Sequence, residues 1–187
     1  MSTIHTFAGN PLDRADVRRR DPAWLAAAAH APKTRYLPLW QLNVLVDGSG
    51  EAPRLGWLST VDLERLEVTV PPVFLGLDGD GVPHFAIDLS EIADPNHELA
   101  LAGGFAFQES RSAAMSLPTA DTGIVAQARA QVNWHRSHRY CSACGEPTEQ
   151  EKGGHLRSCP ACGANHFPRT DPVAIMLIVD GEQCLLG

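Results

Sequence analysis

Two Cys-x-x-Cys hooks, Cys141/Cys144 and Cys159/Cys162, stand 14 residues apart in a chain of 187 residues that holds one further cysteine, Cys184. Each hook presents two sulfurs from one tight turn, and a hairpin between the hooks can gather all four into a tetrahedron. That is the arrangement zinc takes with thiolates at roughly 2.3 Å. A glycine follows each hook (Gly145 and Gly163), as a backbone folded around the sulfurs with positive φ requires. The intervening segment is too short to build its own core, so metal closure is what makes it fold. Four thiolates leave no position for water, so the expected zinc is structural. Iron and a redox disulfide are the alternative occupations of such hooks.

The N-terminal stretch MSTIHTFAGNPLDRADVRRRDPAW has no apolar core of a secretory signal, and the longest apolar run, VAIMLIV (Val173 to Val179), is too short to span a bilayer. The expectation is a soluble, cytoplasmic chain with no membrane contact, where paired hooks point to metal rather than disulfides. A net charge of −7 and a pI near 5.5 disfavour non-specific gripping of a phosphate backbone. Between His135 and Arg169 five basic residues face three acidic ones. The −2 of a zinc tetrathiolate cancels that excess, so the module has no basic footprint for nucleic acid.

Asp21-Pro22 opens a helix that ends before Pro32. β-like runs follow: YLPLWQLNVLV (Tyr36 to Val46), PRLGWLS (Pro53 to Ser59), PVFLGLD (Pro72 to Asp78) and PHFAIDL (Pro83 to Leu89). The DGDG between the last two is a hairpin turn, since no glutamate stands where a calcium loop needs one. Ser59 to Glu67 reads as a helix among the strands. Ile124, Val125, Ala128 and Val132 recur at helical spacing, predicting an amphipathic helix over 121–138. His135 and His138 on that helix are expected to pack or hydrogen-bond, four cysteines already filling a metal's coordination. DPVAIMLIVDGEQCLLG reads as strand, Asp180-Gly181 turn and strand, with Cys184 a buried apolar residue. So apolar a hairpin is not stable alone, which implies that the polypeptide continues past Gly187.

The ordered run NWHRSHRYCSACG…LRSCPACGANHFPRTDPVAIMLIVDGEQCLLG resembles the NADH pyrophosphatase (NudC-type) family of Nudix hydrolases. It carries a Trp-His pair before the first hook, Tyr140 beside Cys141, the four-cysteine ribbon, Phe167-Pro168, and Asp171-Pro172 before a hydrophobic strand. FLGLDGDGVPHFAIDLS upstream is similar to the N-terminal domain of these enzymes. The resemblance implies an α+β fold: a mixed, Nudix-like α/β N-terminal domain (1–120), a connecting helix (121–138), a four-cysteine zinc ribbon (139–168), and the first strands of a Nudix α/β/α domain (169–187).

It further implies a homodimeric hydrolase that cleaves the pyrophosphate of NADH or NAD⁺ to the mononucleotide and AMP, and can act on NAD-capped RNA. Zn²⁺ is structural, bound by Cys141, Cys144, Cys159 and Cys162, while Mg²⁺ or Mn²⁺ serves catalysis. Phe167 is the implied wall of the nicotinamide pocket. The family's glutamate-rich Nudix box is absent here, since no Arg-Glu dipeptide occurs in the chain. No catalytic residue is therefore assigned, the chain alone is expected to be inactive, and the box is expected beyond Gly187. Glu64, Glu67, Asp78 and Asp80 read as solvated or turn residues. The alternative is a non-catalytic zinc-ribbon module that binds protein or RNA.

Overall fold

In the computed structural model, which describes residues 5–66, 68–101, 103–171 and 175–185, helix α1 (Pro22–Ala29) begins at the Asp-Pro step. The Asp21 carboxylate accepts from Ala23 N and Trp24 N, satisfying two of the free amides that open any helix. β1 (Arg35–Trp40) and β2 (Asn43–Asp47) form an antiparallel hairpin. The sequence run from Tyr36 to Val46 is thus two strands, not one. Gln41 and Leu42, both at positive φ, make the turn between them. Such primed turns usually carry Asn-Gly, which is why this one is hidden in sequence. Bonds from outside hold it: Ser90 Oγ accepts from Gln41 N, and Ser110 Oγ donates to Leu42 O.

β3 (Arg54–Leu55) leads into α2 (Thr60–Glu64), where Ser59 and Asp62 cap each other reciprocally. The helix ends at Glu64, shorter than the expected span to Glu67, which lies outside the described residues. β4 (Val73–Leu77) and β5 (Pro83–Asp88) pair across the Asp78–Gly81 turn as expected. α3 (Pro95–Glu98), β6 (Phe105–Gln108), α4 (Ser110–Ala114) and the long α5 (Thr119–Ser137) complete this part. The sheet runs β3-β2-β1-β5-β4 with β6 alongside β2, and β1 and β5 are parallel.

Successive residues of a strand point to opposite faces, and here both faces are apolar. Leu37, Leu39, Val44, Val46, Val73 and Leu75 turn to one side, where α5 packs Ile124, Val125, Ala128 and Val132 on them. Tyr36, Leu45, Phe74, Phe85 and Ile87 turn to the other, under α1 and the α2 region. A sheet buried on both faces explains why its strands read as nearly continuous hydrophobic runs. Helix α5 is accordingly one wall of the core.

The ribbon is a three-stranded antiparallel sheet of β7 (Glu149–Glu151), β8 (Leu156–Ser158) and β9 (Asn165–His166). With it the fold class is α+β. A final hairpin joins β10 (Ile178–Asp180) to β11 (Gln183–Leu185). Of the strand expected within DPVAIMLIV, the described residues show Ile178–Asp180; residues 172–174, 186 and 187 lie outside the described residues. Cys184, expected to be buried, is exposed, as is every residue of both strands of this hairpin.

The β7–β8 tip presses on the main sheet. Gln150 Nε2 donates to Pro72 O at 2.8 Å, and the Gly153-Gly154 backbone lies against Phe74 and Val73. A Cβ on Gly154 would sit 2.8 Å from Val73 Cγ1 and 3.0 Å from His135 Nε2, at a φ of +91°. Gly154→Ala should therefore cost about 2–4 kcal/mol, overpacking added to left-handed strain. Gly81→Ala, equally left-handed but facing open space, should cost only about 1–2 kcal/mol. Urea unfolding of the two variants measures the difference, and equal losses would mean that the tip is not tightly docked.

Candidate metal centre and the clefts around it

Each Cys-x-x-Cys hook folds as the same knuckle. Cys141 N donates to Glu146 O and Gly145 N to Cys141 O, at 2.8 and 2.9 Å; Cys159 N to Ala164 O and Gly163 N to Cys159 O repeat the pattern at 2.9 and 2.8 Å. Gly145 and Gly163 take φ of +82° and +75°, as the turn demands. The β7–β8 hairpin sets the knuckles face to face, and the four sulfurs lie within 4.8 Å of one another. Cys141 Sγ is 3.6 Å from Cys162 Sγ, and Cys144 Sγ is 3.5 Å from Cys159 Sγ. A tetrahedron with metal–sulfur bonds of about 2.3 Å has edges of about 3.8 Å, and these two separations lie near that value. None of the five cysteines forms a disulfide.

The electrostatics of the cluster call for a cation. Burial opposes ionisation of Cys141, yet the amides of Ala143 and Cys144, with His166, draw its thiol down to about 6. The Glu146 amide favours a Cys144 thiolate, but the adjoining sulfurs of Cys159 and Cys162 push its pKa up to about 12. Neighbouring sulfurs cannot all be anionic without a positive charge between them, and a divalent metal supplies it. His166 Nε2 lies 3.3 Å from Cys141 Sγ, a contact with a cluster sulfur that sequence reasoning does not single out. Only its position two residues before Pro168, at the end of the second hook, hints at it.

His135 on α5 and His138 at its C-cap are not among the clustered donors. His135 Nε2 bonds Gly154 O at 2.9 Å, and its Nδ1 meets Arg157 Nη1 at 3.0 Å. Since the guanidinium can only donate, Nδ1 accepts and Nε2 carries the proton. His138 bonds Trp134 O and Ser137 Oγ. Burial first, with the Arg157 charge adding to it, holds His135 at about 4; burial, with Arg19 and Arg14, holds His155 at about 4.

Phe167 follows β9 and is 61% exposed. It lines a cleft of about 720 Å³ with Trp134, His155, Arg14 and Arg169. A separate cleft of about 580 Å³ lies between the main sheet, the end of α5 and the ribbon. The four cysteines thus come together, while Phe167 sits apart on a surface that includes the N-terminal segment and α5. Asp78 acts as the turn residue its sequence context implies, accepting from Asp80 N and Val82 N within its hairpin.

Residues 33–134 match the model of the NADH pyrophosphatase-like rudimentary NUDIX domain, and residues 136–167 that of the NADH pyrophosphatase zinc ribbon domain. Among curated relatives, the chain is 29% identical to NAD-capped RNA hydrolase NUDT12 of Homo sapiens, with 97% of this chain and 48% of the relative covered. It is 30% identical to mitochondrial NAD(P)H pyrophosphatase NUDT13 of Mus musculus, over 86% of this chain and 50% of the relative. Identity to NAD-capped RNA hydrolase NudC of Stutzerimonas stutzeri is 30%, over 76% of this chain and 48% of the relative. The chain spans about half the length of the curated relatives it matches.

Two measurements test the centre and its docking. Elemental analysis of purified protein should find one zinc per chain, and Cys159→Ser should lose it to a chelator that the parent protein withstands; equal retention would remove Cys159 from the ligand set. For the histidines, the unfolded chain takes up protons near pH 6.5 but the folded chain only near 4. More protons are then bound unfolded than folded in that window, so stability falls as pH drops through it. Thiolate protonation and zinc loss add to the fall, so the comparison is with His135→Gln/His155→Gln. That variant should show a flatter dependence between pH 6.5 and 4, and an unchanged slope would contradict the neutral, half-buried state of both rings.

Proposed function

Because this chain belongs to the NADH pyrophosphatase family of Nudix hydrolases, we propose that it forms the rudimentary Nudix and zinc-ribbon part of an enzyme hydrolysing the pyrophosphate of NADH or NAD⁺. The products are NMNH or NMN plus AMP, and NAD-capped RNA is a further substrate class, as the names of its relatives suggest. The observation that carries the reading is the order of two family matches along one chain, with four thiols gathered within 4.8 Å in the second.

The proposed units are an N-terminal domain (1–120), a connecting helix (121–138), the ribbon (139–168) and the start of a Nudix domain (169–187). Zn²⁺ would be held by Cys141, Cys144, Cys159 and Cys162, where a closed sphere of thiolates gives mechanical closure and no site for an activated water. Catalysis is assigned to glutamates and Mg²⁺ or Mn²⁺ outside these residues, which contain no Nudix box. Phe167, an exposed ring beside Arg14 and Arg169 in one cleft, suits the wall against which a flat base stacks, near cations that favour phosphate. A homodimer working in the cytoplasm completes the proposal.

The test is hydrolysis of NADH with Mg²⁺ or Mn²⁺, followed by release of AMP. The 187-residue chain should show no turnover by itself, and turnover would overturn the assignment of chemistry outside it. In a complete enzyme bearing this sequence, Phe167→Ala should raise KM for NADH about tenfold with zinc content unchanged, in line with loss of one stacking contact of about 1–2 kcal/mol. Unaltered kinetics would take Phe167 out of the site.

A further inference from the structure

The cleft of about 580 Å³ between sheet and ribbon is distinct from the one that holds Phe167 and has no part in the function proposed above. Its floor is apolar, formed by Val70, Pro71, Val73 and Val132, with Pro147 on the ribbon side. Three arginines line it, Arg136, Arg139 and Arg157, against two carboxylates, Asp88 and Glu149. The arginines are in different states. Arg157 is anchored, its Nε donating to Thr148 Oγ1 at 2.7 Å, Nη2 to Thr148 O at 2.6 Å and Nη1 to His135 at 3.0 Å. Arg136 faces Asp88 at 3.9 Å and Ser90 Oγ at 3.4 Å, both long contacts.

Arg139 has no ion pair or side-chain hydrogen bond among the described residues, although its backbone carbonyl is held by Thr148. Arg136, Arg139 and Arg157 thus bring three guanidinium charges to one cleft against two carboxylates. His135, neutral and bonded on both nitrogens, adds no counter-charge. An anion lying on Arg139 and Arg136 would offset that excess of positive charge and receive planar, two-pronged donors. Tyr140, 67% exposed, lines the same cleft, its backbone bridged to Pro147. An aromatic ring and a proline beside an apolar floor offer a flat surface of the kind on which bases stack.

We propose that this interdomain cleft is a binding site for a 5′-mononucleotide, the phosphate lying on Arg139 and Arg136 and the base against Tyr140 and Pro147. The volume suits a ligand of that size. The inference holds whichever pyrophosphate the enzyme cleaves, and a site here would let such a ligand brace the ribbon against the sheet.

The experiment is calorimetric titration of the zinc-loaded protein with AMP, adenosine and inorganic phosphate at low ionic strength. AMP should bind with one-to-one stoichiometry, and adenosine and phosphate each at least about tenfold more weakly, since each lacks one half of the contacts. Arg139→Gln changes an exposed side chain without protein partners among the described residues, so folding is spared; it should weaken AMP about tenfold or more, one charge-assisted contact being worth about that factor. Arg65→Gln, an exposed arginine outside the cleft, should leave AMP affinity unchanged. Tyr140→Leu should reduce AMP affinity but not that of phosphate. Absence of AMP binding, or AMP binding indifferent to Arg139→Gln, would overturn the site, whatever the outcome of the NADH assay.

Discussion

Four thiols within 4.8 Å of one another repel as soon as they ionise, and the ribbon is organised by the cation that resolves the repulsion. Between residues 139 and 168 the buried side chains are Cys141, Thr148, Leu156 and Cys159, far too little apolar surface to fold a module. Closure of the two knuckles replaces a core. It also fixes the β7–β8 hairpin, whose tip would otherwise have no defined direction. The glycines at that tip then permit what side chains would forbid, backbone contact with Val73 and Phe74 of the main sheet.

His135 sits at the centre of the join. It donates to the ribbon backbone at Gly154 and accepts from Arg157, which fixes one tautomer and ties α5 to the tip and the second strand of the hairpin. A second proton on that ring would abolish the acceptor and place a cation beside Arg157, so the site works only with neutral imidazole. The same helix serves two surfaces. Val132, His135 and Arg136 line the arginine cleft, while Gln127, Gln131 and Trp134 line the one with Phe167. Movement of the ribbon would alter both clefts together.

What can be read before folding is the chemistry that depends on spacing. The four cysteines, the Asp21-Pro22 cap, the strands around the DGDG turn and the apolar stripe of α5 are local or periodic signals, and local geometry alone makes them. The Gln41-Leu42 turn escapes reading because its positive φ angles are held by Ser90 and Ser110, residues distant in sequence. Cys184 misleads for a related reason: alternation places a side chain on one face of a strand, but whether that face is covered depends on another element being there.

The spacing of donors therefore determined the metal centre and, through the ordered motifs around it, the family. Only the tertiary structure decided that α5 is a wall of the core, that the ribbon tip needs two glycines, and that Arg136, Arg139 and Arg157 share a cleft with Tyr140. The physical reason is range. Knuckles and caps close within a few residues, whereas a cleft's charge is the sum of groups brought together from separate elements, and no spacing along the chain encodes that sum.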